Sequence, residues 1–148
     1  MYIDEAETVQ LSRGYVEERR EDDRTVPLLS AAHLDPRFDE LVAKCARFLN
    51  LGENWNSYRS RTIDQNLVEE GLRLVAMVLM PGRRSPSIVP TAVGGVQLEW
   101  HTADEDLEIE VRALGKYRVY HRKGEQEEEF DVRDDLSKLV SLSRAFSE

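Results

Sequence analysis

The sequence predicts an α+β fold: two N-terminal helices, a four- or five-stranded antiparallel meander and a C-terminal helix, with the helices on one sheet face. Three observations predict it. Apolar residues recur at three- and four-residue spacing over two stretches between about Pro36 and Met80. From Ser87 onward the pattern switches to strict alternation, and the alternating runs are separated by short turn-forming clusters. Helices followed by a run of strands, rather than alternating with them, argue for an antiparallel sheet covered on one side.

The composition sets the outer bounds. A chain of 148 residues can bury one core without a disulfide or structural metal. Charged residues make up 33% and hydrophobic ones 41%, a polar but globular balance. The net charge of -9 argues against a dedicated nucleic-acid binder and against an anionic membrane surface, both of which recruit Lys and Arg. The 20 basic residues are interspersed among the 29 acidic ones, unlike a uniformly acidic DNA mimic. Cys45 is the single cysteine, and no apolar run approaches the roughly 18 residues of a membrane span. The start, MYIDEAETVQ, lacks the cationic and apolar segments of a secretory signal. A cytoplasmic location with no membrane contact is the expectation.

Residues 1–30 read as a charged arm, dominated by the mixed run Glu17 to Arg24, in which Thr8 to Val16 offers a short strand. A solvated arm and a partner-binding extension both fit. Residues 31–148 read as a single α+β domain. Asp35 and Pro36 open its first helix, with Phe38, Leu41, Val42, Cys45, Phe48 and Leu49 on one stripe from about 36 to 50. Cys45 on that stripe reads as a small apolar filler rather than a nucleophile. Asn50 and Gly52 close the helix.

The second helix starts near Thr62 or Asp64 and points Ile63, Leu67, Val68, Leu72, Val75 and Val78 inward. Its last turns, LRLVAMVLM, are apolar nearly all round. They must be covered either by the sheet and first helix together or by another chain, which makes a homo-oligomer one expectation. Pro81-Gly82 stops the helix.

Along the strands, Val96, Leu98 and Trp100 alternate with polar partners, as do Leu107, Ile109 and Val111, then Tyr117, Val119 and His121; a weaker strand runs through Glu128, Phe130 and Val132. Pro86 and Pro90 lack the amide donor and mark the first strand as an edge. The closing helix is capped by Asp134 or Asp135 and turns Leu136, Leu139, Val140 and Phe146 inward.

A register follows from the turns. Ala103-Asp104 as a two-residue turn sets Trp100 against Leu107 and Leu98 against Ile109, keeping the apolar groups on one side. Ala113-Leu114-Gly115 as a three-residue loop then sets Val111 against Tyr117. The outer face reads as three rows: Gln97, Glu110, Arg118; Glu99, Glu108, Tyr120; and His101, Asp106, Arg122. Like charges directly opposed across strands destabilise a sheet, so Glu99 against Glu108 calls for an explanation. In the plain one, both turn into water and Arg118 and Arg122 relieve the repulsion. In the sharper ones, a partner's Lys or Arg sits between them, a divalent cation bridges them with His101 and Asp106 nearby, or the pair does acid-base work.

Other chemistry is sparse. His33, His101 and His121 are scattered without the spacing of a zinc site, and Gly94-Gly95 precedes a strand, offering no helix N-terminus to a phosphate. Trp55, Tyr58, Arg59 and Arg61, with Arg83 and Arg84, form a cluster suited to an interface hot spot or a nucleic-acid surface; in the plainer reading Trp55 and Tyr58 plug the space between the helices.

Asn54, Trp55 and Tyr58, then Pro90, Thr91, Gly94, Gly95, Gln97, Leu98, Glu99 and Trp100, then Leu107, Glu108, Ile109 and Glu110 form the patterns N-W-x-x-Y, P-T-x-x-G-G-x-Q-L-E-W and L-E-I-E-V. Over roughly residues 53–111 the chain resembles a family of small bacterial proteins with no established activity. Members carry Asp and an acidic residue where this chain has Asn56 and Val93. The resemblance implies the domain outline and assigns no catalytic residue.

The resulting expectation is a non-enzymatic protein-interaction module, the small or neutralising partner in a bacterial toxin-antitoxin or defence gene pair. Its partner has a basic surface, met by Glu99, Glu108, Glu110, His101, Asp106, Trp55, Tyr58 and Arg59. No catalytic residue, metal or cofactor is assigned. The alternatives are a metal-assisted hydrolase or nuclease using Glu99, His101, Asp106 and Glu108, and a nucleic-acid binder using the Trp55 to Arg61 loop with Arg83 and Arg84.

Overall fold

A computed structural model describes residues 35–148. The charged arm over residues 1–30, its strand from Thr8 to Val16, and His33 lie outside the described residues. The elements run α1 (Pro36–Phe48), α2 (Gln65–Val78), β1 (Ser87–Pro90), β2 (Val96–His101), β3 (Glu105–Ala113), β4 (Lys116–Lys123), β5 (Gln126–Arg133) and α3 (Leu136–Ser143). The fold is the expected α+β arrangement, with the sheet at five strands.

Each helix opens on an aspartate. Asp35 accepts from the Arg37 amide at 2.9 Å and also holds the Arg37 guanidinium. Asp64 accepts from the Asn66 amide at 2.8 Å, and Asp135, rather than Asp134, accepts from the Lys138 amide at 3.2 Å. These side chains satisfy amides that have no carbonyl partner in the first turn. Helix α1 ends at Phe48, short of residue 50, because Asn50 and Leu51 bond three residues back, to Arg47 and Phe48, in a tightened turn. Helix α2 ends at Val78, with Leu79 already extended, and Pro81 disfavours helical backbone at Met80, the residue before it.

The apolar end of α2 is buried within this chain: Leu74, Val75, Ala76, Val78 and Leu79 are at most 4% exposed. Of the two covers the sequence allows, the intrachain one holds. Helix α2 packs on α1, α3, β2 and β3. Gly71 permits the approach to the sheet, since a Cβ there would lie 2.6 Å from Val96 Cγ2.

Every strand pairs antiparallel with its neighbours in sequence, in the order β1-β2-β3-β4-β5. Short β1 forms an edge, in keeping with Pro90 inside it and Pro86 just before it. Trp100 pairs with Leu107 and Leu98 with Ile109; Val111 pairs with Tyr117 and Ile109 with Val119. One turn differs from expectation. Ala113 pairs with Lys116, with a register shift between Val111 and Ala113, so the connection is Leu114-Gly115 beside a bulge. The bulge absorbs the extra residue, leaving the expected pairings intact.

The inner sheet face, from Ile88 through Leu98, Ile109 and Val119 to Val132, joins the helices in one core. Phe146 stacks on Trp100 with ring centroids 6.0 Å apart. Glu70 is the charged exception among the described residues: at 4% exposure it accepts a hydrogen bond from the Tyr117 hydroxyl and lies 3.3 Å from Arg73 Nη1. Among the described residues, no helix covers the outer face.

Candidate functional site

Strand alternation puts Glu99 and His101 on the outer face of β2, and register sets Glu108 and Asp106 of β3 opposite them. The three outer rows form as the sequence predicts, and β5 extends them with Asp131, Glu129 and Glu127. The middle row thereby gains a third glutamate, giving Glu99, Glu108, Tyr120 and Glu129.

The described arginines of this face do not bind the central pair. Arg118 binds Glu129 at 2.8 Å and Asp131 at 3.2 Å. Arg122 binds Asp106 at 2.6 Å and the Gly124 carbonyl at 2.8 Å. Arg112 binds Glu110 at 2.8 Å. What reaches Glu99 and Glu108 is the Gln97 amide, at 2.9 Å and 3.5 Å, and His101 Nε2, at 3.3 Å and 4.0 Å. The expected relief by Arg118 and Arg122 fails because neighbouring carboxylates take up both guanidiniums.

His101 is the centre of the cluster. Its Nδ1 lies 2.9 Å from Asp106 Oδ1, so Asp106 links His101 to Arg122. Asp106 chiefly, and Glu99 with it, raise the His101 pKa by favouring the charged ring. Arg122 first, then His101, hold Asp106 below the ordinary carboxylate range. Partial burial, followed by the charge of Glu99, pushes Glu108 above it. One donor atom from each of Glu99, His101 and Glu108 falls within 4.8 Å of the others. Beside them a shallow depression of about 170 Å3 is lined by Gln97, Glu108, Tyr120 and Glu129, among others. The arrangement attracts a cation; the flat, wet face gives little exclusion of water for carboxylate catalysis.

The second candidate cluster divides. Trp55 packs partly against the core and donates Nε1–H to the Arg61 carbonyl at 3.1 Å, whereas Tyr58 is 83% exposed. Of the two aromatics, Trp55 alone packs against the core. The loop turns through left-handed backbone at Asn54, Ser57 and Arg59, fixed by the Asn54 side chain accepting from Arg59 N and the Asn56 side chain accepting from Tyr58 N. That geometry pushes Tyr58 outward. Arg61 N donates to the Ala92 carbonyl, ahead of β2, while Arg84 Nη1 reaches the carbonyl of His101, at the end of β2. Arg83 binds the Arg144 carbonyl. Arg83 and Arg84 therefore sit at the far end of the sheet from Arg61, and the six residues make no common surface.

The loop instead meets the β1–β2 turn. Asp64 N donates to the Gly94 carbonyl, and a Cβ on Gly94 would lie 2.7 Å from the Thr62 carbonyl oxygen. The N-W-x-x-Y and P-T-x-x-G-G segments are one packed unit. His121, on the inner phase, binds Glu105 at 2.7 Å near the strand end. Cys45 is fully buried and its thiol pKa is pushed up to about 12, consistent with the filler reading. Glu70 escaped the sequence reading because it lies among the apolar positions of α2; the available signal was Tyr117, an inward-facing residue whose hydroxyl needs a partner. Comparison with protein-family models, curated proteins and solved structures finds no match.

Proposed function

We propose that the chain is a non-enzymatic protein-interaction module that offers the outer face of its sheet to a partner with a basic surface. The observation that carries this reading is the Glu99–Glu108 pair, opposed across β2 and β3 while the neighbouring arginines are bound elsewhere. A partner's Lys or Arg placed between two partly desolvated carboxylates gains attraction that neither makes with the described arginines. Glu110, His101 and Asp106 border that point. At the other end of β2, Tyr58 on its braced loop has the exposed aromatic surface and fixed backbone of an interface anchor, with Arg59 beside it.

The partner is proposed to be the second product of a bacterial toxin-antitoxin or defence gene pair, a placement motivated by the acidic, water-facing sheet surface. The burial of the α2 end removes one motive for self-association, so a different chain is the favoured partner. Affinity capture from the native host tests the reading. The full chain should retain a basic protein, Glu99→Lys combined with Glu108→Lys should lose it, and circular dichroism of the double variant should remain that of the parent. Recovery of the chain alone, or retention of the partner by the double variant, would sink the proposal.

A further inference from the structure

We infer that Glu99, His101 and Glu108 form a binding site for a first-row divalent transition-metal ion of the zinc class, with Asp106 as the residue that positions the histidine. The inference stands apart from the partner reading, although both draw on the same carboxylates: ion and partner cation are alternatives at one place.

The donor set is mixed, not merely acidic. A neutral imidazole nitrogen and two carboxylates suit zinc or manganese better than magnesium or calcium, which favour all-oxygen shells. Ligands about 2.0–2.1 Å from a tetrahedral ion stand roughly 3.3 Å apart. His101 Nε2 is 3.3 Å from Glu99 Oε2 and 4.0 Å from Glu108 Oε1. Small side-chain rotations close the second distance, because register already sets Glu99 opposite Glu108 and alternation sets His101 two residues from Glu99.

Two further features go beyond charge. With Nδ1 held 2.9 Å from Asp106, Nε2, the nitrogen that a metal ion would take in place of its proton, faces Glu99 and Glu108. Arg122, 2.6 Å from the other Asp106 oxygen, holds that carboxylate in turn. A carboxylate behind a histidine in this way fixes the tautomer and raises ligand basicity, as in many metal sites. The second feature is the partition of arginines: Arg118, Arg122 and Arg112 each bind another carboxylate, leaving the Glu99–Glu108 pair with no guanidinium among the described residues. The site sits on paired strands, and the face opens to water that can complete the coordination shell.

Isothermal titration of the purified full chain with zinc, manganese or magnesium chloride, each alone, tests the site. One zinc should bind per chain, tighter than manganese, with magnesium weakest. His101→Ala, Glu99→Gln and Glu108→Gln should each weaken zinc by tenfold or more, and Asp106→Asn by about 10–100-fold. His121→Ala should leave the affinity unchanged. Zinc should also shift the His101 ring resonances in NMR spectra. Absence of heat with all three ions, or zinc affinity that survives His101→Ala, overturns the inference. Either result leaves the partner reading standing, since capture of a basic protein is scored separately.

Discussion

The Tyr117 hydroxyl donates to the Glu70 carboxylate inside the core, joining β4 to α2 across the helix–sheet interface. Burial, followed by this bond, keeps Tyr117 in its neutral, donating form. Tyr117→Phe leaves a buried carboxylate with only Arg73 as a side-chain partner, at 3.3 Å, and should cost about 1–3 kcal/mol. Pairing it with Glu70→Met removes the stranded charge, so the double variant should recover much of that loss in urea denaturation. A double variant no more stable than Tyr117→Phe would show that Glu70 does not depend on the hydroxyl.

Glu108 predicts the opposite sign. Its pKa is raised in the folded chain, first by burial and then by Glu99. The stability attached to its protonated form is fully present below the unfolded pKa, near 4.5, and is lost as pH rises through the higher folded value. Glu108→Gln should therefore stabilise the fold at neutral pH by about 0.2–1 kcal/mol, the range for cross-strand pairs. The gain should fade below about pH 4. Denaturation midpoints of the two proteins across this pH range measure it; a variant less stable at pH 7 would refute the repulsion.

Gly94 and Gly124 separate backbone conformation from crowding. Both have positive φ, 91° and 62°, but a Cβ on Gly94 meets the Thr62 carbonyl whereas one on Gly124 meets nothing within 4 Å. Gly124→Ala should cost about 1–2 kcal/mol, the left-handed penalty alone. Gly94→Ala should cost more, with a melting temperature lower by several degrees than that of Gly124→Ala. Equal losses would mean that the loop yields without strain.

The rows of the outer face were legible because a two-residue turn and a buried alternation leave one register: shifting β3 by a single residue would expose Leu107, Ile109 and Val111. Asp106 as the partner of Arg122 was legible, since the register sets the two opposite each other; the partners of Arg118 were not. Long side chains choose among carboxylates one or two strands away, and β5, which supplies Glu129 and Asp131 for Arg118, had the weakest pattern in the sequence. Grouping Arg83 and Arg84 with Arg61 failed for a related reason: loop composition carries no information on which end of a sheet a loop adjoins. Tyr58 and Trp55 look alike in sequence, and only the left-handed turns at Asn54, Ser57 and Arg59 decide which points inward.

The nearest-neighbour order of the sheet bears on how the chain reaches it. Among the described strands none waits for a distant segment, since each hairpin closes over a short connection and presents an edge to the next. The entropic cost of closing large loops, which slows sandwiches and parallel sheets, is thus confined to docking the helices. Folding should depend most on when α2 settles onto β2 and β3, the contact that Gly71 makes close, so that helix docking rather than strand pairing sets the pace.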